Sequence, residues 1–377
     1  MSTRSNSVHL SIAILVCLFL TSVLGASAFA EGTSLPGLTQ TESMELLYTD
    51  GFSVDCYDGG YQLITMNFDG RQLFTVPEGA EIPTDVPEGA TILQLPLSNV
   101  VLSTSAGISQ VAAIGGLDSV HMVSMKASSC YIEPVVERLN DGRLTTLGDE
   151  LDYEYLVEHN TSLCVFNGEI DDAVAEKLDG LGIAWFLDHS NRENHPLARV
   201  EWTKLYGALL GLDDEAQAVF DENKAIVDAL NFDEMSGKTA VAFFINSKGV
   251  PQVYNMGDYT CKMIEMAGGT PYPSDLGVGE TGRTKMELEA FLTMCKDADY
   301  IIYTAGAMGG TPLTVQDIVD RCELIADFKA VADGNVWTST PNYFQVADAL
   351  GNMIGELNQI LNGAPADTEL EYFYHLD

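Results

Sequence analysis

Basic residues are scarce in this chain: 18 Lys and Arg stand against 55 Asp and Glu in 377 residues, a formal net charge of −37. Nucleic acid needs a basic surface to neutralise its phosphates, so it is excluded as a partner. The acidity reads as a solubility device for a salty or acidic medium rather than as a site for cations. Beyond residue 30 no segment reaches the roughly 18 consecutive apolar residues that a membrane span requires. Cysteines number seven, with no C-x-x-C pair and no zinc spacing. Also missing are a G-x-S-x-G elbow, an H-E-x-x-H helix and a Cys–His pair at a recognisable spacing. Missing motifs do not exclude an enzyme, but nothing here argues for one, and no catalytic residue, metal-ligand set or cofactor is expected.

The first 30 residues differ from the rest. Arg4 is their only charge, an apolar run goes from Ile12 to Leu24, and Ala28-Phe29-Ala30 precedes Glu31. This is the build of a signal peptide with an A-x-A cleavage site, so the mature chain is expected to begin at Glu31 and to be exported, to the periplasm or the extracellular face of the cell membrane. Lipid anchoring through Cys17 is disfavoured, because Val16 precedes it where a lipoprotein signal wants a small residue. Six cysteines remain: Cys56, Cys130, Cys164, Cys261, Cys295 and Cys322. A lobe boundary between Cys164 and Cys261 leaves three on each side, so neither half can pair completely, and buried free thiols are expected.

The 46% hydrophobic content suffices for one or two cores. Residues 31–91 read as a β-rich segment, with Asp58-Gly59-Gly60 and Asp69-Gly70 as turns between alternating runs. The repeated Val-Pro-Glu-Gly, at Val76 to Gly79 and Val86 to Gly89, reads as turn punctuation. Strand–loop–helix alternation follows over residues 92–194 and returns over 237–377, which implies two α/β lobes with largely parallel sheets. Between them, residues 195–236 contain no strand pattern. Ala216, Val219, Phe220, Ile226, Val227 and Leu230 keep helical spacing there, and Gly211 followed by Asp213 marks a stop and a new cap. A helix from Asp213 to Leu230 is on the order of 27 Å long. The expected fold is α/β: two Rossmann-like lobes with mainly parallel sheets joined by one long helix, after a β-rich N-terminal segment. A single stiff connection limits relative lobe motion.

From Ile92 to Leu361 the order of motifs resembles the cobalamin and iron-siderophore class of periplasmic solute-binding proteins. The run from Asp152-Tyr153-Glu154 to Asn160, followed by Leu163-Cys164-Val165-Phe166, is similar to that class's first-lobe helix with a Glu near its start, although Thr161-Ser162 replaces the usual Pro-Asp. His195-Pro196-Leu197-Ala198-Arg199 with Trp202 and Tyr206 to Gly211 resembles the entry to the helical spine. Glu265-Met266-Ala267-Gly268-Gly269, and Met286 to Glu289 before Ala298-Asp299-Tyr300-Ile301-Ile302, resemble second-lobe motifs. The resemblance implies an extracytoplasmic binding protein of an ABC importer that captures an iron-siderophore, haem or corrinoid ligand. It also implies an ABC transporter permease as partner, met by Glu154 on one lobe and Glu289 on the other.

Loops at strand ends are where an interlobe cleft gathers its ligand groups. They give Ser105, Lys126, Tyr131 and Arg192 in the first lobe, and Tyr254, Met256, Arg283, Tyr303 and Tyr343 in the second. Aromatic and Met side chains provide walls for a bulky metal chelate, and Arg or Lys can pair with its anionic groups. A monomer is expected. Binding of a free metal ion, or chelate-handling enzyme chemistry on the same fold, is the alternative. His189 and His195 flank a loop, but two imidazoles without a placed carboxylate read as loop and cap residues. Gly237-Lys238-Thr239 lacks the earlier glycine of a phosphate loop. Asn160-Thr161-Ser162 matches a glycosylation sequon by chance.

Overall fold

The computed structural model describes residues 35–148, 150–230, 237–306 and 310–377. The expected signal peptide and the last residues of the 195–236 connection lie outside them. An N-terminal sheet comes first, in strand order β1 to β5: β1 (Gln40–Ser43), β2 (Phe52–Tyr57), β3 (Gln62–Met66), β4 (Gln72–Val76) and β5 (Thr91–Gln94). Strands β1 to β4 are antiparallel neighbours and β5 adds in parallel. The sheet therefore runs past residue 91, where the sequence pattern placed its end, because Thr91 to Gln94 pairs with β4.

The N lobe is wholly parallel: β6 (Val100–Ser103), β7 (Val120–Val123), β8 (Thr145–Thr146), β9 (Leu163–Asn167) and β10 (Ala184–Asp188), in order β10-β9-β6-β7-β8. Its helices are α1 (Ser105–Ala113), α2 (Glu133–Asp141), α3 (Tyr153–Glu158) and α4 (Asp172–Leu181). The connection is three helices, α5 (Pro196–Glu201), α6 (Thr203–Leu210) and α7 (Asp213–Asp228). Gly211, at φ +70°, ends α6 in the left-handed conformation that glycine adopts without penalty. Asp213, Asp214 and Glu215 then place acids in the first turn of α7, where the helix dipole favours them.

In the C lobe the strands are β11 (Thr239–Ile245), β12 (Pro251–Tyr254), β13 (Thr270–Pro271), β14 (Arg283–Lys285), β15 (Tyr300–Tyr303), β16 (Val336–Ser339) and β17 (Phe373–His375). Strands β13, β11, β15 and β16 are parallel, whereas β12, β14 and β17 join antiparallel at the flanks. Its helices are α8 (Tyr259–Met266), α9 (Leu288–Cys295), α10 (Val315–Val319), α11 (Lys329–Ala332) and α12 (Leu350–Leu361).

The N-terminal sheet is built into the N lobe. Period-two alternation turns Phe52, Val54, Ile64 and Leu73 toward Ile108, Val111, Trp202 and Leu205 in one shared core. The opposite side, Tyr57, Leu63, Phe74 and Val76, closes a small core with Leu35. Gly51 lies so close to the first of these that a Cβ there would sit 2.6 Å from the Trp202 ring. The same junction holds a buried charge. The carboxylate of Glu201, fully buried at the end of α5, accepts the backbone N–H groups of Leu47, Tyr48 and Thr49 at 2.8, 2.8 and 3.0 Å. Lys204 pairs with it at 3.2 Å and donates to the Glu45 carbonyl at 3.0 Å.

All six cysteines of the described residues are free. Burial raises the thiols of Cys130 and Cys322 and pushes those of Cys164 and Cys295 up to about 12, so they behave as small apolar side chains.

Replacing Glu201 by Ala strands three backbone donors and an ammonium group in the interior. The expected loss is about 3–5 kcal/mol, read from urea unfolding, with new proteolytic cleavage in residues 44–50. A wild-type unfolding midpoint would show that this carboxylate does not anchor the sheet.

Candidate ligand-binding cleft

A cavity of about 570 Å³ opens where the two lobes face each other, at the carboxyl ends of β7, β15 and β16. Met125, Ser129 and Tyr131 wall it from the N lobe; Phe244, Thr304 and Phe344 are among its C-lobe walls. A narrower space of about 80 Å³ lies beside it, shares Phe344, and is bounded by Ser105, Asn167, Arg199, Tyr259 and Tyr343. The arrangement obeys the rule that open α/β sheets bind ligands beyond the carboxyl ends of their strands.

The residues singled out from the sequence are distributed unevenly over these spaces. Tyr131, about half exposed, lines the main cavity, and Ser105 and Tyr343 line the narrow one. Tyr254 is buried behind the main cavity with its hydroxyl 3.3 Å from the Thr304 hydroxyl. Arg283, exposed on β14 opposite Tyr254, lays its guanidinium over the rings of Phe244 and Tyr254 at 5.1 and 5.7 Å from their centroids. It meets no carboxylate at ion-pair distance among the described residues. Lys126 and Met256 fall in neighbouring loops and line none of these cavities.

Tyr303 and Arg192 also lie away from the main cavity. Tyr303 is fully buried in the C-lobe core, where its hydroxyl lies 3.2 Å from the Ile245 N–H and 3.4 Å from the Ile245 carbonyl, because the last residue of β15 turns inward and the next, Thr304, faces the cavity. Arg192 lies instead at a separate cavity of about 320 Å³ beside the N-terminal sheet, its guanidinium over the Phe68 ring at 4.4 Å. Phe68, at the β3–β4 turn, reaches across to Arg192 and to His189, whose ring centroid is 4.0 Å away. His195 is the cap of α5, its Nδ1 accepting the Leu197 N–H at 3.2 Å.

Sequence reasoning missed Met125, Phe244, Phe344 and Gln345. Three cavity residues, Met125, Thr304 and Phe344, are chain neighbours of Lys126, Tyr303 and Tyr343. The loops were legible, but the phase at each strand end was not. Burial raises the phenols of Tyr254 and Tyr343, which stay neutral hydrogen-bonding groups over the ordinary pH range.

A buried carboxylate shapes the N-lobe side. Asp188, at the end of β10, accepts the Tyr206 hydroxyl at 2.7 Å, the Thr104 hydroxyl at 3.3 Å and the Ser190 N–H at 2.8 Å. It ties the spine to the loops that precede α1 and follow β10. A Cβ on Gly107 would approach the Tyr206 hydroxyl to 2.2 Å, so this junction requires glycine.

Away from the cleft, Glu154 and Glu289 stand exposed in the first turns of α3 and α9. Neither has an ion-pair partner among the described residues. Asp152 caps α3 by accepting the Tyr155 N–H at 3.0 Å. Beneath α3, His121, Tyr155 and His159 stack, with centroid separations of 5.9 Å for the first pair and 3.7 Å for the second. His121 bonds the Thr161 hydroxyl at 3.2 Å.

The fold is that of the two-lobed periplasmic binding proteins. Among solved structures, a periplasmic binding protein from Veillonella parvula matches with a TM-score of 0.56 and 17% identity over 71% of this chain and 92% of that one. A periplasmic haem-binding protein from Pseudomonas aeruginosa matches with a TM-score of 0.56 and 13% identity, covering 74% and 98%. The vitamin B12 binding protein of Vibrio cholerae does so with a TM-score of 0.50 and 13% identity, covering 71% and 97%. In sequence, an uncharacterized lipoprotein of Methanocaldococcus jannaschii is 25% identical over 327 residues, 82% of this chain and 77% of the relative. A second lipoprotein of that organism is 24% identical over 375 residues, 91% and 93%. No family model matches the chain.

Burial, followed by the charge of His159, pushes His121 down to about 4, from an ordinary value near 6.5. The unfolded chain therefore binds its proton first. The stabilising contribution is complete above pH about 6.5 and is lost as the pH falls toward about 4, with a slope of at most about 1.4 kcal/mol per pH unit. In His121→Asn the unfolding midpoint should depend less on pH across that window. An unaltered slope would show that His121 is not held neutral.

Proposed function

We propose that the protein is an extracytoplasmic solute-binding protein of an ABC importer, which captures an iron-siderophore, haem or corrinoid ligand between its lobes and delivers it to a membrane permease. The observation that carries this is the cavity of about 570 Å³ at the strand ends, walled by aromatic, Met and hydroxyl side chains from both lobes. Such walls suit the apolar face and polar fringe of a bulky chelate. The haem- and B12-binding proteins with this fold support the ligand class. The lipoprotein names of the sequence relatives support an exported, extracytoplasmic chain, as do the apolar run and Ala28-Phe29-Ala30 near its start. Binding without turnover is the expected activity.

Arg283 is the proposed partner of an anionic substituent. Arg283 is not itself among the residues lining the cavity, but its guanidinium rests over Phe244, which walls it, and over Tyr254, within reach of a carboxylate, catecholate or propionate on a ligand that extends beyond the cavity. Ferric siderophores, haemin and cyanocobalamin, titrated while tryptophan fluorescence is followed, should include at least one that saturates the protein well below millimolar concentration. Arg283→Ala should then weaken an anionic ligand by about 1.5–3 kcal/mol. Binding of only a bare metal ion or an amino acid would overturn the assignment.

Glu154 and Glu289 are the proposed permease contacts. Both stand in the first turn of a short helix that leads into a central strand, β9 in one lobe and β15 in the other. Two separated carboxylates can register the protein over basic residues of a permease. The double variant Glu154→Arg, Glu289→Arg should fold and bind ligand as the wild type does while uptake into proteoliposomes falls sharply. Uptake at the wild-type rate would remove these residues from the docking surface, and lost ligand binding would place them at the cleft.

A further inference from the structure

The outer wall of the cavity is a strap rather than a strand. Between β16 and α12 the chain leaves the C-lobe sheet, and Pro341, Phe344 and Gln345 of this stretch face the cavity. Gln345 is bonded at both ends of its carboxamide to N-lobe backbone. Its Oε1 accepts the Tyr131 N–H at 2.9 Å, and its Nε2 donates to the Ser129 carbonyl at 2.7 Å. Ser129 and Tyr131 line the same cavity from the other lobe.

Further along, the strap is tied down again. The Ala347 N–H donates to the Ser109 hydroxyl of α1 at 2.9 Å. Asn223 of α7 donates its amide to the Asp348 carbonyl at 2.7 Å and accepts the Gly351 N–H at 2.8 Å. A Cβ on Gly351 would lie 2.5 Å from the Asn223 carbonyl oxygen, so α12 and α7 meet there at backbone contact.

The two sets of ties differ in setting. Ser109 and Asn223 are buried, so the inner bonds are shielded from water. The outer pair lies at the solvent edge between Tyr131 and Phe344, both exposed aromatics. Hydrogen bonds that water can replace are the ones that break first. A relative movement of the lobes would separate Gln345 from residues 129–131 while the inner ties hold as a pivot.

We propose that Gln345 is the latch of the cleft, a positioning residue that holds the strap and Phe344 against Tyr131 and thereby limits the rate at which ligand enters and leaves. The rate-limiting part rests on the ligand-binding reading given above; the latch itself does not. Two bonds, each lost to water on opening, make the closed state about five- to a hundredfold more favoured than it is without them.

Two measurements on the ligand-free protein read the latch directly. In Gln345→Ala the Tyr131 amide should exchange with deuterium about tenfold or more faster, while the Ala347 and Gly351 amides keep their wild-type rates. Spin labels on exposed Glu137 of one lobe and Asp320 of the other should show one distance in the wild type and an added longer one in the variant. Gln345→Glu, which keeps the acceptor and loses the donor, should fall between. The third measurement uses whichever of haemin, cyanocobalamin or a ferric trihydroxamate saturates the wild type: association and dissociation should both quicken in Gln345→Ala, with a smaller change in Kd. Unchanged Tyr131 exchange or an unchanged distance distribution overturns the latch. A latch that opens without changing the kinetics of the bound probe overturns its role in exchange. If none of the three probes binds, the ligand reading fails, and the first two measurements still decide the latch.

Discussion

Glu201 puts a negative charge where water does not reach, and the surrounding chain is arranged to answer it. Three successive backbone N–H groups from residues 47–49 and the Lys204 ammonium satisfy its oxygens. An ion removed from water at such cost stabilises only while every partner is in place. The interaction therefore fixes the register of the segment that feeds β2, and with it the seating of Phe52 against Trp202 at a ring separation of 5.3 Å. Glu193 extends the junction by accepting the Trp202 indole N–H at 2.9 Å and a short hydrogen bond from the Thr49 hydroxyl. The N-terminal sheet is held as a wall of the N lobe, and the first turn of the spine is held with it.

A spine anchored in this way changes what the lobes can do. α5 and α6 are mostly buried and α7 packs one face, through Ala216, Phe220, Asn223 and Val227, so the connection is a packed helical stack with little freedom to bend. Asp188 fastens α6 to the N-lobe strand ends, and Asn223 fastens α7 to the start of α12. Movement is left to groups at the cleft edge whose bonds water can replace. On the proposed reading, ligand exchange then depends on the bonds at the cleft mouth, which hold the lobes together until water replaces them.

Much of this architecture is legible in the sequence because the alternation of strand and helix patterns is a bulk signal. So is the Gly211–Asp213 break, which needs only the conformational preferences of two residues. Glu154 and Glu289 fall in first helical turns as their surroundings suggest. The fine placement was not legible. Tyr303 and Thr304 are adjacent, and only the packing of Phe243 and Phe328 around them decides which faces inward. The same one-residue phase separates Tyr343 from Phe344. The shared core of the N-terminal sheet was hidden for another reason: both sides of its strands are buried, so alternation alone does not reveal that the second face belongs to a different unit. The role of Gln345 depends on residues more than 200 positions away, which no local pattern encodes.

The charge of the chain bears on the cleft as well. With 18 Lys and Arg among 55 acids, cations have carboxylates available on every side. Arg138, Arg143 and Lys329 take them, at Asp118, Asp141 and Asp299. Arg283 does not. It rests on two aromatic rings whose faces orient the guanidinium without neutralising it. A cation oriented in this way, with no carboxylate at ion-pair distance among the described residues, is available to an anion that arrives from outside, while the acidic surface repels that anion elsewhere. On the proposed reading, the excess of acid therefore sharpens selection: an anionic ligand whose negative group does not reach Arg283 keeps only the contacts of the cavity walls and meets the repulsion of the surrounding acids.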